Sequence, residues 1–179
     1  LADMYYRTKD MRLANEAYLI FIDPVIGFPN SEHIEKARTR LIYTRLAAFR
    51  GPAYDDSGLI DARKELVQLT YANKDLADTI NSSALITRID ESLGQKLLST
   101  AKWYLKVNKP IAAEYTVRRL VMEYKDTGAT VEALEYLVPE LLPLLPPVVL
   151  SEVEEFYAAH QEALLGKTFT TIDIEKNQP

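Results

Sequence analysis

Metal or acid–base chemistry would need histidine and carboxylate side chains brought together. The 179-residue sequence offers two local groupings, His33 with Glu32 and Glu35, and His160 with Glu162. Neither has the H-E-x-x-H spacing that puts two ligands on one helical face. With no cysteine in the chain, thiolate metal sites and disulfides are excluded. Both groupings read as solvated polar faces. Asp55/Asp56 and Glu154/Glu155 are adjacent in sequence, and adjacent residues point about 100° apart on a helix, so neither pair is set up to share a proton. No phosphate loop, dinucleotide fingerprint or nucleophile elbow occurs, and the six glycines are isolated. The sequence assigns no catalytic residue, no metal ligand and no cofactor.

Binding chemistry is better represented. Arg38, Arg40 and Arg45 fall in one helical segment, Lys102 and Lys106 in another, and Arg118 and Arg119 in a third. Lys102 and Lys106, four apart, share a helix face. Such clusters serve either to keep a helix solvated or to form an electropositive strip facing an acidic or extended peptide. Nucleic acid is an unsuitable partner, because the net charge is −5 and a phosphate backbone requires a Lys/Arg surplus. Eleven tyrosines are many for this length. Repeat packing accounts for Tyr5, Tyr18, Tyr104 and Tyr124; Tyr6, Tyr43 and Tyr54 fall off the buried stripes, where a rigid apolar ring with a polar tip suits an interface.

The elements that position these residues are helices in repeat. Leu1–Phe21 matches Thr100–Leu120 at an offset of 99, carrying Ala2 to Ala101, Tyr5 to Tyr104 and Ala14 to Ala113. A small residue precedes an aromatic by three, and a second small residue precedes a large one by four (Ala14/Tyr18, Ala113/Val117). In a helical hairpin the small residues permit close approach while the aromatic fills the groove between neighbours. An aromatic, a turn and a hydroxyl follow both copies: Phe28-Pro29-Asn30-Ser31 and Tyr124-Lys125-Asp126-Thr127, now offset by 96. Ser31 and Thr127 are the expected N-caps of the next helices, with Ala37 and Leu41 matching Ala133 and Leu137. A middle repeat shows in Ala62, Leu66 and Leu69 behind an enlarged turn, Gly51 to Gly58, capped by Asp56 or Ser57. Ile86, Ile89, Leu93, Leu97, Ala101 and Tyr104 form one stripe of helical period.

The predicted architecture is all-α: tetratricopeptide-like antiparallel hairpins stacked in a short right-handed superhelix. Residues 1–138 hold three hairpins, the first truncated at its start. Residues 139–179 hold a proline-broken connection, in which Pro143 to Pro147 must leave the helix. A capping helix follows from about Glu152 to Leu165, opened by the Ser151–Glu154 capping box and stopped at Gly166, and then a short tail, extended over Thr168 to Ile174. The longest apolar stretch, Leu137 to Leu150, is interrupted by Glu140 and four prolines, so it does not read as a transmembrane span. Leu1 is not an initiator methionine and falls inside a helical pattern, so upstream sequence is expected, and any export or lipidation signal would lie there.

In stacked hairpins the first helix of each pair lines the concave side. There Asp3, Tyr6 and Arg7 lie off the Tyr5 stripe, and the offset of 99 sends them to Lys102, Leu105 and Lys106. These six residues are the candidate surface for proteins or extended peptides. An extended peptide laid across them would stack on Tyr6, bury apolar side chains near Leu105 and pair acidic groups with Arg7, Lys102 and Lys106.

Three stretches together resemble the BamD-like lipoproteins of outer-membrane assembly: Phe28-Pro29-Asn30-Ser31 followed by Ala37; Leu59-Ile60-Asp61-Ala62-Arg63; and Ala101-Lys102-Trp103-Tyr104-Leu105-Lys106 running through Pro110 to Ala112-Ala113. Glu123-Tyr124-Lys125-Asp126-Thr127 resembles the family's closing turn, with Lys125 where a proline is usual. The likeness spans residues 1 to 138. It implies a periplasmic, non-catalytic scaffold without cofactor, anchored to the outer membrane by a lipidated cysteine that this chain does not include. Its implied partners are unfolded outer-membrane proteins and the periplasmic domains of a barrel-assembly protein. A generic repeat adaptor and a helical regulatory domain of a larger protein are the competing readings.

Overall fold

The computed structural model describes the backbone of residues 1–176 and the side chains of residues 1–163. Every regular element among the described residues is helical. The chain falls into two compact units, Leu1–Leu93 and Gly94–Pro179. The first contains α1 (Ala2–Arg7), α2 (Met11–Ile22), α3 (Ile34–Ala48), α4 (Ser57–Ala72), α5 (Lys74–Thr79) and the start of α6 (Ser82–Lys106). The second contains the remainder of α6 with α7 (Pro110–Glu123), α8 (Gly128–Glu132), α9 (Val138–Leu141) and α10 (Pro147–Lys176).

The repeat is reproduced in the backbone hydrogen bonds. At the α1–α2 turn the amides of Lys9 and Asp10 donate to the carbonyls of Tyr6 and Tyr5; at the α6–α7 turn those of Asn108 and Lys109 donate to Leu105 and Tyr104. These reversed bonds satisfy the last carbonyls of each helix and need one residue in the left-handed region. Lys9 (φ 62°) and Asn108 (φ 56°) supply it, 99 residues apart. Ser31 and Thr127 likewise both donate their amides to the aromatic three residues earlier, Phe28 and Tyr124.

Each unit buries the residues its helical period selects. In the first, Ala14, Tyr18, Ala37 and Leu41 form a core against which Tyr5, Tyr6 and Phe21 pack. Leu59, Ala62 and Leu66 of α4 are also buried. In the second, Ala101, Ala113, Val117 and Leu120 join Ala133, Leu137 and Leu141, with Tyr104 packed alongside. Val153 and Tyr157 of α10 complete this core, and the Tyr157 hydroxyl donates to the Glu114 carbonyl at 3.3 Å.

Four local expectations are corrected. Thr127 caps α8, accepting from the Thr130 amide, but α3 begins at Ile34 behind His33, and Ser31 instead accepts from the His33 amide one turn earlier. At the enlarged turn Asp56 is the N-cap residue of α4 but makes no side-chain cap bond; the Ser57 hydroxyl turns to Asp55. Pro139 and Pro143 do not end the helix. A π turn over Ala133–Leu137, in which the Val138 amide reaches the Ala133 carbonyl, precedes Pro139, and Pro143 sits in a 3₁₀ turn, Leu142–Leu144. Changes of helical pitch accommodate the missing donors, and the chain leaves the helix only at Leu145 (φ −84°, ψ 149°) and Pro146. Lastly, α10 starts at Pro147, whose fixed φ suits a first turn, leaving the Ser151–Glu154 motif inside the helix. It also runs through Gly166 and through Thr168 to Ile174, to Lys176, in place of the stop and extended tail.

Candidate binding clefts

The six sequence-selected residues line two clefts, one in each unit. In the first, α1 presents Asp3, Tyr6 and Arg7, the following turn presents Lys9, and α3 presents Lys36 and Arg40 around a cavity of about 390 Å³. α1 and α3 meet here because both pack on the Ala14–Leu41 core. Asp3 is the hub. It accepts from the Tyr18 hydroxyl at 2.5 Å and pairs with the Lys36 ammonium at 3.1 Å. The Tyr18 hydrogen bond, then that of Lys36, holds the Asp3 carboxyl below the usual range, while burial first and Asp3 second push Tyr18 up. The Arg40 guanidinium lies 4.6 Å over the Tyr6 ring, so that face of Tyr6, expected to stack against a bound peptide, already carries a cation. Arg7, Lys9 and Arg40 have no carboxylate within ion-pair distance among the described residues, although Asp3 feels the charge of Arg40.

In the second unit, α6 presents Lys102, Leu105 and Lys106 to a cleft of about 490 Å³ that also includes Glu132, Tyr136 and Glu140. Lys102 is tied to Glu132 at 2.5 Å. Two lysines face two glutamates, so the lining is balanced. Tyr136 is 68% exposed. Beside it lies an apolar hollow of about 670 Å³ formed by Tyr104, Ile111, Tyr115 and Leu144, among others.

Most of the other basic clusters prove to be internally neutralised. Arg45 pairs with Glu65 at 2.6 Å and is largely covered. Arg118 pairs with Glu114 at 2.7 Å and lies over Phe156, and Arg119 pairs with Glu123 at 3.0 Å. His33 stands exposed beside Glu32, whereas His160 stacks on Phe156 and is not the solvated polar face expected. Among the described residues no group of three or more His, Cys, Asp or Glu side chains could hold a metal, and no helix is long and apolar enough to cross a membrane.

Sequence reasoning missed Lys9 and Lys36 in the first cleft, where it had noted Arg40 only within a basic segment, and Glu132, Tyr136 and Glu140 in the second. A signal existed for two of them: Lys36 and Arg40 are four apart and share one face of α3, but only the packing of α3 on α1 aims that face at Arg7. The family model that matches this chain, YfiO, is described as an outer membrane lipoprotein and covers residues 54–144, half of the chain. The second cleft lies inside that span and the first lies outside it. No curated protein matches the chain.

Proposed function

Because this chain belongs to the YfiO family of outer membrane lipoproteins, BamD-like proteins of tetratricopeptide type, we propose that it is a non-catalytic scaffold for outer-membrane β-barrel assembly, working in the periplasm at the outer membrane. The observation that carries this reading is the cleft of the second unit. It lies within the family-matched residues and combines an exposed aromatic, Tyr136, with apolar Leu105 and paired charges. Exposed aromatic and apolar residues rimmed by charge are what protein interfaces use, the ring supplying area and the rim fixing register. The stacked hairpins give that surface a rigid frame, so little ordering entropy is lost on binding.

The partners proposed are unfolded outer-membrane protein segments and the periplasmic domains of a barrel-assembly protein. The test is binding of both to wild type and to Tyr136→Ala and Lys106→Glu variants. Loss of about tenfold or more in affinity in either variant is expected, the scale of an interface residue costing above ~1.4 kcal/mol. Failure of wild type to bind either partner would overturn the assembly reading in favour of a repeat adaptor with another partner.

A further inference from the structure

The cleft of the first unit lies outside the family-matched span and has a different chemistry. Four cations, Arg7, Lys9, Lys36 and Arg40, surround it, against one carboxylate, Asp3, which forms an ion pair with Lys36 and feels the charge of Arg40 at longer range. This surplus sits in a chain whose net charge is −5. One basic residue at the end of α1 answers the negative end of its dipole; three cations outside any ion pair, converging from α1, its turn and α3, exceed that need. Like charges held together cost free energy unless something opposite lies among them.

Lys9 adds a second sign. It occupies the left-handed turn position (φ 62°) that in the matching hairpin belongs to Asn108, a residue that tolerates it better. A lysine here gives up local backbone preference and gains a place on the cleft rim.

We propose that this cleft docks an extended acidic peptide segment, with side-chain carboxylates received by Arg7, Lys9 and Arg40. The proposal rests on the scaffold reading and supplies the chemistry of one of its partners. Arg40 is stacked on Tyr6, which fixes its planar fork in advance, and such a fork receives a carboxylate through two parallel hydrogen bonds. Met11, half-buried on the same rim, offers apolar contact to a residue between the carboxylates. An anionic bilayer carries the same charge, but the site is concave and the chain as a whole is acidic, so long-range repulsion opposes a flat anionic surface more than a side chain inserted among the local cations.

The test uses the whole protein and a fluorescent, end-blocked peptide alternating glutamate with phenylalanine, against its glutamine counterpart. We expect the glutamate peptide to bind, the glutamine peptide to bind at least about tenfold more weakly, and added salt to weaken the first alone. Arg7→Gln/Arg40→Gln should lose about tenfold in affinity, as should Arg7→Gln/Lys9→Gln, in which both altered side chains are exposed and the Tyr6–Arg40 packing is retained. Arg12→Gln/Lys64→Gln, an equal charge change at exposed residues outside the cleft, should leave binding unchanged. Equal affinity for both peptides, no loss in the double variants, or binding to phosphatidylglycerol vesicles without binding to the peptide would each overturn the proposal. If the acidic peptide fails but the assembly partner's domains bind, this inference falls and the scaffold reading stands; if the peptide binds as expected and those domains do not, the reverse holds.

Discussion

Asp3, Tyr6 and Arg7 in the first unit occupy the positions that Lys102, Leu105 and Lys106 occupy in the second, on helices that close through the same left-handed turn with the same reversed hydrogen bonds. Around the first triad the next residues in space are Lys9, Lys36 and Arg40; around the second they are Glu132, Tyr136 and Glu140. One frame thus carries a cationic cleft with a single carboxylate and a charge-balanced cleft with an exposed ring. The repeat conserves the positions from which side chains project, and each copy's neighbours decide the charge those positions see. Backbone geometry and surface chemistry are set separately, which suits the scaffold role proposed above.

The comparison breaks most readily in the cores. Leu41→Ala and Leu120→Ala, both fully buried, should each cost about 2–5 kcal/mol in denaturant melts, the range for deleting a buried leucine side chain. A cost below ~1 kcal/mol at either would mean that copy of the frame is not packed as described. Ala14→Leu and Ala113→Leu come next. Each alanine is fully buried at a helix crossing, so overpacking should destabilise by about 1–3 kcal/mol at both sites, and a neutral effect at one alone would break the equivalence of the hairpins.

The charge contrast can be reversed. Glu132→Gln frees Lys102 from its partner and gives the second cleft a cationic surplus; affinity for the acidic peptide should rise severalfold, read by titration in the Arg7→Gln/Arg40→Gln background. No gain would show that charge alone does not distinguish the clefts. The turns offer a smaller effect. Lys9→Asn should raise stability by a few tenths to about 1 kcal/mol, because it removes a left-handed lysine, while weakening the acidic peptide.

The smallest expected effect is acid-side and confined to the first unit. Asp3 is held below its usual range by Tyr18 and then Lys36, so its contribution is present above the ordinary aspartate range and is lost as pH falls through its depressed value. Tyr18→Phe should cost about 0.5–1.5 kcal/mol near neutrality and flatten that loss in melts taken at falling pH. An unchanged acid profile would mean the Asp3–Tyr18 bond adds nothing to stability.

The sequence by itself determined the helices, the two matching hairpins and the small residues at their crossings, because period, turn chemistry and side-chain size act within a few residues of one another. Ala14, Ala62 and Ala113 are buried where their spacing placed them. It also selected one triad in each cleft, through the repeat. Tertiary structure alone decided which cations are neutralised. Asp3 meets Lys36 across 33 residues and Lys102 meets Glu132 across 30, and no local pattern announces such a pair. It also decided that Pro139 and Pro143 are absorbed by changes of helical pitch and that α10 begins at Pro147. Local rules fix what a segment prefers, whereas the partner of a charge and the tolerance of a proline depend on which distant surface the core brings alongside.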